Sequence, residues 1–134
     1  MRSLKMILES VSVGEMQVNC YILAYCSDGP SIIIDPGDDE DKIRKVLSKH
    51  NLRPGIIVNT HAHFDHIGCD DKFGVSVFVH SQDSAMLKDP ALNLSSFLAN
   101  PISITSEIIT VEDKESIELV LIELKVIHLS LIHI

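Results

Sequence analysis

Tryptophan is absent from this sequence, and only 2 Tyr and 4 Phe are present. So few aromatic side chains leave little with which to stack nucleic-acid bases. Basic residues are scarce as well: Lys+Arg number 11 against 19 Asp+Glu, a formal net charge of −8. That balance argues against a nucleic-acid backbone or an anionic membrane as the main partner, and against a nuclease. The 3 cysteines, Cys20, Cys26 and Cys69, include no CxxC pair and leave an odd number. A disulfide framework is therefore not expected, and a reducing compartment is. No stretch approaches the roughly 20 apolar residues needed to span a bilayer. The first apolar run is cut by Lys5 and Glu9 and does not read as a signal peptide. A soluble, cytoplasmic protein is the resulting expectation. Repeats, low-complexity tracts and linkers are also missing.

What remains is a chain of 134 residues, 46% hydrophobic and 22% charged. It is long enough for one domain, or for a piece of a larger one, and apolar enough to bury a core. Met6–Val13 and Gln17–Tyr25 read as strands. Ser31–Asp35 (SIIID) is a short continuous apolar run, the pattern of a strand buried on both faces. Asp28-Gly29-Pro30 marks a turn before it, which predicts an antiparallel hairpin. Asp38–His50 is the clearest helix. Acidic residues fill its first turn, Lys45, Lys49 and His50 its end, and Ile43, Val46 and Leu47 make one apolar stripe. The charged residues of this segment read as a solvated helix face. Pro54-Gly55 predicts a turn into a buried strand, Ile56–Asn59. Further on come a strand at Val75–Val79 and a short helix at Ser81–Lys88. The segment Ala91–Pro101 reads as a loop. Two β-rich runs, Ile102–Val111 and Ile117–Ile127, bracket a polar turn. The alternation predicts an α/β (α+β) fold, a mixed sheet with flanking helices.

The chemistry gathers in His61-Ala62-His63-Phe64-Asp65-His66. Of the 7 histidines, three fall within this hexapeptide, with a carboxylate beside the third. Imidazole and carboxylate suit zinc and similar divalent ions. The segment directly follows the predicted strand Ile56–Asn59, and the C-terminal strand edge is where sites form in open α/β sheets. In extended backbone His61 and His63 point the same way. Asp65 and His66 face elsewhere if the chain turns into a helix there. One segment can thus serve two neighbouring metal positions. A merely His-rich surface loop is the plainer alternative, and its place between a buried strand and Ile67-Gly68 speaks against it. His80, Cys69 and His50 carry plainer readings: a strand-end residue, a small buried residue and a helix-end residue. Cys20 and Cys26 read as strand residues.

The text His61-x-His63-x-Asp65-His66 resembles the signature of the metallo-β-lactamase-fold hydrolases. Val18-Asn19-Cys20-Tyr21, Ile33-Ile34-Asp35-Pro36-Gly37, Asn93-Leu94-Ser95-Ser96-Phe97 and Val126-Ile127-His128 resemble the glyoxalase II (hydroxyacylglutathione hydrolase)-like branch. The resemblance runs from about Lys5 to His128 and implies the N-terminal part of an αββα sandwich. It implies that His61 and His63 hold a first metal, and Asp65 and His66 a second. Zinc is the expected ion, two in the complete protein, with iron or manganese as substitutes. A hydroxide between the ions would then attack the substrate, and Asp65 would orient it and handle protons. Asp35 would hold the His loop in place, or would simply form the turn before Pro36-Gly37.

The sequence departs from that family after His128. A Thr-Pro-Gly-His continuation would bring a third His, but Leu129-Ser130-Leu131-Ile132 stands there. The bridging Asp and final His of the family are not found either. Leu129–Ile134 (LSLIHI) reads as a translated sequencing adaptor, CTG TCT CTT ATA CAC ATC. Residues 1–128 are therefore expected to be a partial domain and 129–134 a non-native tail. The segment Cys69–Lys72 is shorter than the helix often found after the motif. The expected activity is metal-dependent hydrolysis of a thioester or ester, such as a glutathione thioester, with this piece alone inactive and poorly soluble. The alternatives are a persulfide dioxygenase with one iron, and a metal-binding protein without catalysis.

Overall fold

The computed structural model describes residues 5–127. The expected non-native tail 129–134 and His128 lie outside the described residues.

Six strands form one sheet in the order of the chain: β1 (Ile7–Val13), β2 (Val18–Ala24), β3 (Pro30–Ile34), β4 (Arg53–Val58), β5 (Val77–His80) and β6 (Ile108–Val111). The first three pair antiparallel, the last four parallel, so the sheet is mixed as expected. Helices α1 (Glu40–Lys49), α2 (Phe64–Ile67) and α3 (Ser84–Lys88) lie in the crossovers between the parallel strands. Each places a residue (Ile43, Ile67 or Leu87) in a single apolar cluster with Cys20, Ile22, Ile33, Ile57, Val77 and Val79. All three helices thus cover one face. Parallel strands laid down in one direction with same-handed crossovers require that.

Alternation sends the intervening residues to the other face. There Ile32, Ile56 and Val111 pack against Ile117 and Ile122 of a hairpin, β7 (Ser116–Leu119) and β8 (Ile122–Lys125). The hairpin leaves part of the first strands uncovered: Leu8 and Tyr21 remain exposed. The arrangement is an α layer, a β layer and the beginning of a second β layer.

Several expectations shift. Helix α1 begins at Glu40 rather than Asp38, because Asp39 adopts left-handed backbone (φ 55°) and its carboxylate accepts the Gly14 N–H at 2.8 Å. Pro54-Gly55 is not a turn but lies inside β4. The β3–β4 pairing steps from Ser31↔Pro54 to Ile32↔Ile56, so Gly55 is the extra residue of a bulge. A Cβ there would sit 2.8 Å from the Ser31 carbonyl oxygen, so only glycine lets the strands stay close. The expected strand from Ile102 shortens to Ile108–Val111. Upstream of it the Ile102 N–H donates to Ser95 Oγ, and those of Thr105 and Ser106 to Asp71. Those amides are therefore lost to a ladder. The expected strand Ile117–Ile127 is folded in two at Val120, which has φ 54°.

Candidate metal centre

The chain leaves β3 through Asp35, a buried residue with left-handed backbone (φ 55°). Aspartate tolerates that region better than most side chains. The turn is fixed by Asp35 N–H donating to the Val58 carbonyl at 3.0 Å and by Gly37 N–H returning to the Asp35 carbonyl at 2.8 Å. It delivers the Asp35 carboxylate under the loop that leaves the neighbouring strand β4. There Oδ1 accepts the Thr60 N–H at 2.8 Å. Oδ2 accepts the Thr60 hydroxyl at 2.6 Å and the His66 Nδ1–H at 3.0 Å.

Thr60 Oγ1, having donated to Asp35, is left to accept from His61 Nδ1 at 3.1 Å. Both His61 and His66 are thus held as the Nδ1–H tautomer, which leaves Nε2 of each ring as the unprotonated nitrogen. The three imidazoles are gathered: ring centroids lie 4.9 Å apart for His61 and His63, and 4.0 Å for His61 and His66. Asp65 Oδ2 stands 3.7 Å from His66 Nε2. The sequence brought four donors together, and Asp35 beneath them ties the cluster to the sheet.

The helix α2 that carries Asp65 and His66 is one turn long. It is seated by backbone contact rather than by its own length. A Cβ on Gly37 would lie 1.8 Å from the Asp65 carbonyl oxygen, and one on Gly68 would lie 2.2 Å from the Gly37 carbonyl oxygen. The Cys69 N–H donates to the Pro36 carbonyl at 2.8 Å, and the Phe64 N–H to the Asn93 carbonyl at 2.9 Å. A 3-10 turn, Asp70–Lys72, takes the place of a longer helix.

Electrostatics divide the histidines. Burial, and then the neighbouring His66, push the His61 imidazole below its ordinary pKa. Burial pulls His66 down too, but the hydrogen bond and charge of Asp35, aided by Asp65, outweigh it and hold its pKa above the ordinary value. Burial also pushes the Cys20 thiol up to about 12 and the Cys69 thiol to about 11, so both behave as inert small residues. His80 is buried, and its Nδ1 accepts the Gln82 N–H. His50 pairs with Glu9.

Sequence reasoning missed three supports. Thr60 relays Asp35 to His61. Asn93 is fully buried, and its amide donates to the carbonyls of Met86 (2.8 Å) and Ile102 (3.0 Å), which fixes the loop whose backbone receives Phe64. Asp70 is fully buried, accepting from Asn59 Nδ2 at 3.0 Å, while Asp70 Oδ2 and Asn59 Oδ1 have no partner. Asn93 was visible only as part of a resemblance, and Thr60 only as the neighbour of a histidine.

In donor chemistry the cluster fits a divalent ion: unprotonated Nε2 atoms beside a carboxylate, with Nδ1–H groups anchored behind. In spacing it is open. Among the described residues no group of three or more His, Cys, Asp or Glu side chains closes around a common point. The rings pack on one another instead.

This strand-edge cluster beneath one α layer agrees with the comparison to known proteins. Residues 13–133 match the model of the Metallo-beta-lactamase superfamily, and the chain belongs to that superfamily. It is similar to "Probable metallo-hydrolase YqgX" of Bacillus subtilis (strain 168), with 40% identity over 90 residues, 64% of this chain and 42% of that protein. Similarity to a hydroxyacylglutathione hydrolase of Buchnera aphidicola subsp. Schizaphis graminum (strain Sg) is 43% over 63 residues, 47% of this chain and 24% of that one. Among solved structures, BLEG-1 B3 metallo-beta-lactamase superposes with a TM-score of 0.73 at 33% identity, covering 89% of this chain and 59% of that one. The chain spans less than half the length of the curated relatives it matches. The superfamily expectation holds. The glyoxalase II-like branch is not established, since the similarity to hydroxyacylglutathione hydrolase covers less than half of this chain. No helix among the described residues is long and apolar enough to cross a membrane.

Proposed function

We propose that this chain carries the N-terminal part of a metal-dependent hydrolase of thioesters or esters. His61, His63, Asp65 and His66 are the metal-holding residues, and Asp35 orients two of them. The observation that carries this reading is the shared anchoring of His61 and His66. Through Thr60 and directly, one buried carboxylate holds both rings by Nδ1, the arrangement that prepares Nε2 to bind a cation. Zinc, two ions in the complete protein, is the expected metal, and further donors would come from the part of the relatives' length that this chain does not span. When bound, the metal supplies Lewis acidity, polarising the substrate carbonyl and making water acidic near neutral pH. The protein's own share is positional and protonic. Asp35 prevents His66 from turning, and Asp65 would take up the proton released when water attacks. A small-molecule thioester is the substrate class, and the short match to hydroxyacylglutathione hydrolase supports glutathione as its thiol part. Buried, free cysteines fit a reducing compartment.

The test is a zinc titration of the full-length protein against a thioester. Turnover should require metal and fall by at least 10²-fold in His61→Ala, on the order of the loss seen when catalytic groups are removed. Residues 1–134 alone should show none. Full turnover without metal, or after removal of all four side chains, would overturn the proposal.

A further inference from the structure

A cavity begins where the metal cluster ends. It is a cleft of about 730 Å³ between the β1–β2 turn and the segment 97–102, and Asp65 forms part of its wall. Val13 and Ile102 at its floor belong to the core, but two further apolar side chains on its rim stand in water. Met16 is 64% exposed at the tip of the β1–β2 turn, and Phe97 is 72% exposed opposite it. Phe97 meets Phe64 edge to face, with ring centroids 5.9 Å apart, and Phe64 stands inside the His-rich hexapeptide itself. The ionisable side chains that line the cleft are Glu15, Asp38 and Asp65, with no Lys or Arg among them.

These two properties select among substrates. Large apolar side chains left in water beside a reaction centre gain by covering an apolar group. Glu15 and Asp38, the cleft carboxylates outside the metal-holding set, repel a negative one, in a cleft whose walls lower the effective dielectric. We infer that this cleft takes an uncharged, apolar acyl limb of the substrate, gripped between Phe97 and Met16, and that its carboxylates exclude acyl groups ending in a carboxylate. The inference rests on the reading of the neighbouring cluster as a hydrolytic centre, and it names the acyl class that centre serves.

The experiment measures binding rather than turnover. The methionine methyls of the full-length protein are labelled with carbon-13, that of Met16 being assigned by its loss in Met16→Leu, EDTA is added, and three N-acetylcysteamine thioesters are titrated: acetyl, hexanoyl and adipoyl. Hexanoyl and adipoyl have equal length and differ in the terminal carboxylate. The hexanoyl compound should shift the Met16 methyl and bind at least about tenfold more tightly than acetyl, as expected for burial of a few methylenes. It should exceed adipoyl by a similar factor. Phe97→Ala should weaken hexanoyl binding about fivefold, from lost apolar contact, and leave acetyl unchanged. The methyl of Met86, which packs on the core, reports that the variant stays folded. Glu15→Gln should improve adipoyl binding alone. An unmoved Met16 methyl, equal affinity for hexanoyl and adipoyl, or indifference to Phe97→Ala would each overturn the inference. Selective binding by a full-length protein that never hydrolyses would sink the hydrolase reading and leave the cleft intact. Metal-dependent turnover with no acyl preference would do the reverse.

Discussion

Gly37 and Gly68 lie back to back, 31 positions apart in sequence, at a backbone contact that tolerates a side chain on neither. The carbonyl oxygen of Gly37 occupies the space a Gly68 Cβ would need, and the carbonyl of Asp65 occupies that of a Gly37 Cβ. This contact seats the single-turn helix that carries Asp65 and His66.

Gly37→Ala should therefore destabilise the protein by about 3 kcal/mol or more, at the severe end for single substitutions. Gly74→Ala is the control in open space: nothing lies within 4 Å of its Cβ, and only the φ of +69° opposes it. Its loss should be about 1 kcal/mol, the ordinary left-handed penalty. Urea midpoints of the two variants decide the matter, and equal losses would show that the close contact is not what seats α2.

Asp35→Asn removes the charge that keeps His66 protonated at Nδ1. Nitrogen-15 shifts of the His66 ring should report loss of the Nδ1–H tautomer and a lower pKa. If the cluster binds zinc, affinity measured by chelator competition should fall about 10–100-fold, the usual effect of losing such a partner. An unchanged ring spectrum would mean that Asp35 only shapes the turn.

Asp70 and Asp71 are adjacent and titrate in opposite directions. Burial holds the Asp70 carboxyl well above the usual range, so it is stabilised as the neutral acid. Burial also acts on Asp71, but hydrogen bonds from Ser106 and Thr105 outweigh it and bring its pKa down. The raised Asp70 contributes stability below the unfolded carboxyl pKa that is lost as pH climbs towards its folded value. The lowered Asp71 contributes stability above the unfolded pKa that is lost as pH falls through its folded value. Asp71→Asn should thus destabilise by about 1–2 kcal/mol at pH 7, for hydrogen bonds to a charged group, and by progressively less as acid takes the pH below the unfolded carboxyl pKa. Asp70→Asn should be most favourable at pH 7 and lose that advantage in acid. Denaturant titrations at several pH values check both signs.

Asn93→Ala should destabilise by about 2 kcal/mol, because the carbonyls of Met86 and Ile102 lose a buried donor. The Phe64 amide, which donates to the Asn93 carbonyl, should then exchange faster with solvent. Unaltered protection at Phe64 would separate the loop from the His-rich segment.

Most of the sheet and the four clustered side chains were legible, for one reason. Short apolar runs such as Ile56–Val58 can only be buried strands, and a polar hexapeptide at the end of one has to surface at the sheet edge. What stayed hidden depends on neighbours distant in sequence. Gly55 reads as a turn until Ser31 is known to press against it. Leu119-Val120-Leu121-Ile122 holds no turn residue, yet the chain reverses there, so that Ile117 and Ile122 are both buried while Val120 and Leu121 point outward, each 68% exposed. A β-branched residue at positive φ is a local penalty accepted for tertiary burial. The opposite fates of Asp70 and Asp71 follow from whether Asn59 or Thr105 and Ser106 lies opposite, which no local pattern reveals.

The six strands of the large sheet stand side by side in the order in which a ribosome makes them. Each new strand finds its partner already waiting, so no early segment has to stay unpaired until a late one emerges. The first four strands, with Asp35 and the histidine loop, can therefore dock onto one another during translation. The anchoring carboxylate would be in position before the last strand has left the exit tunnel.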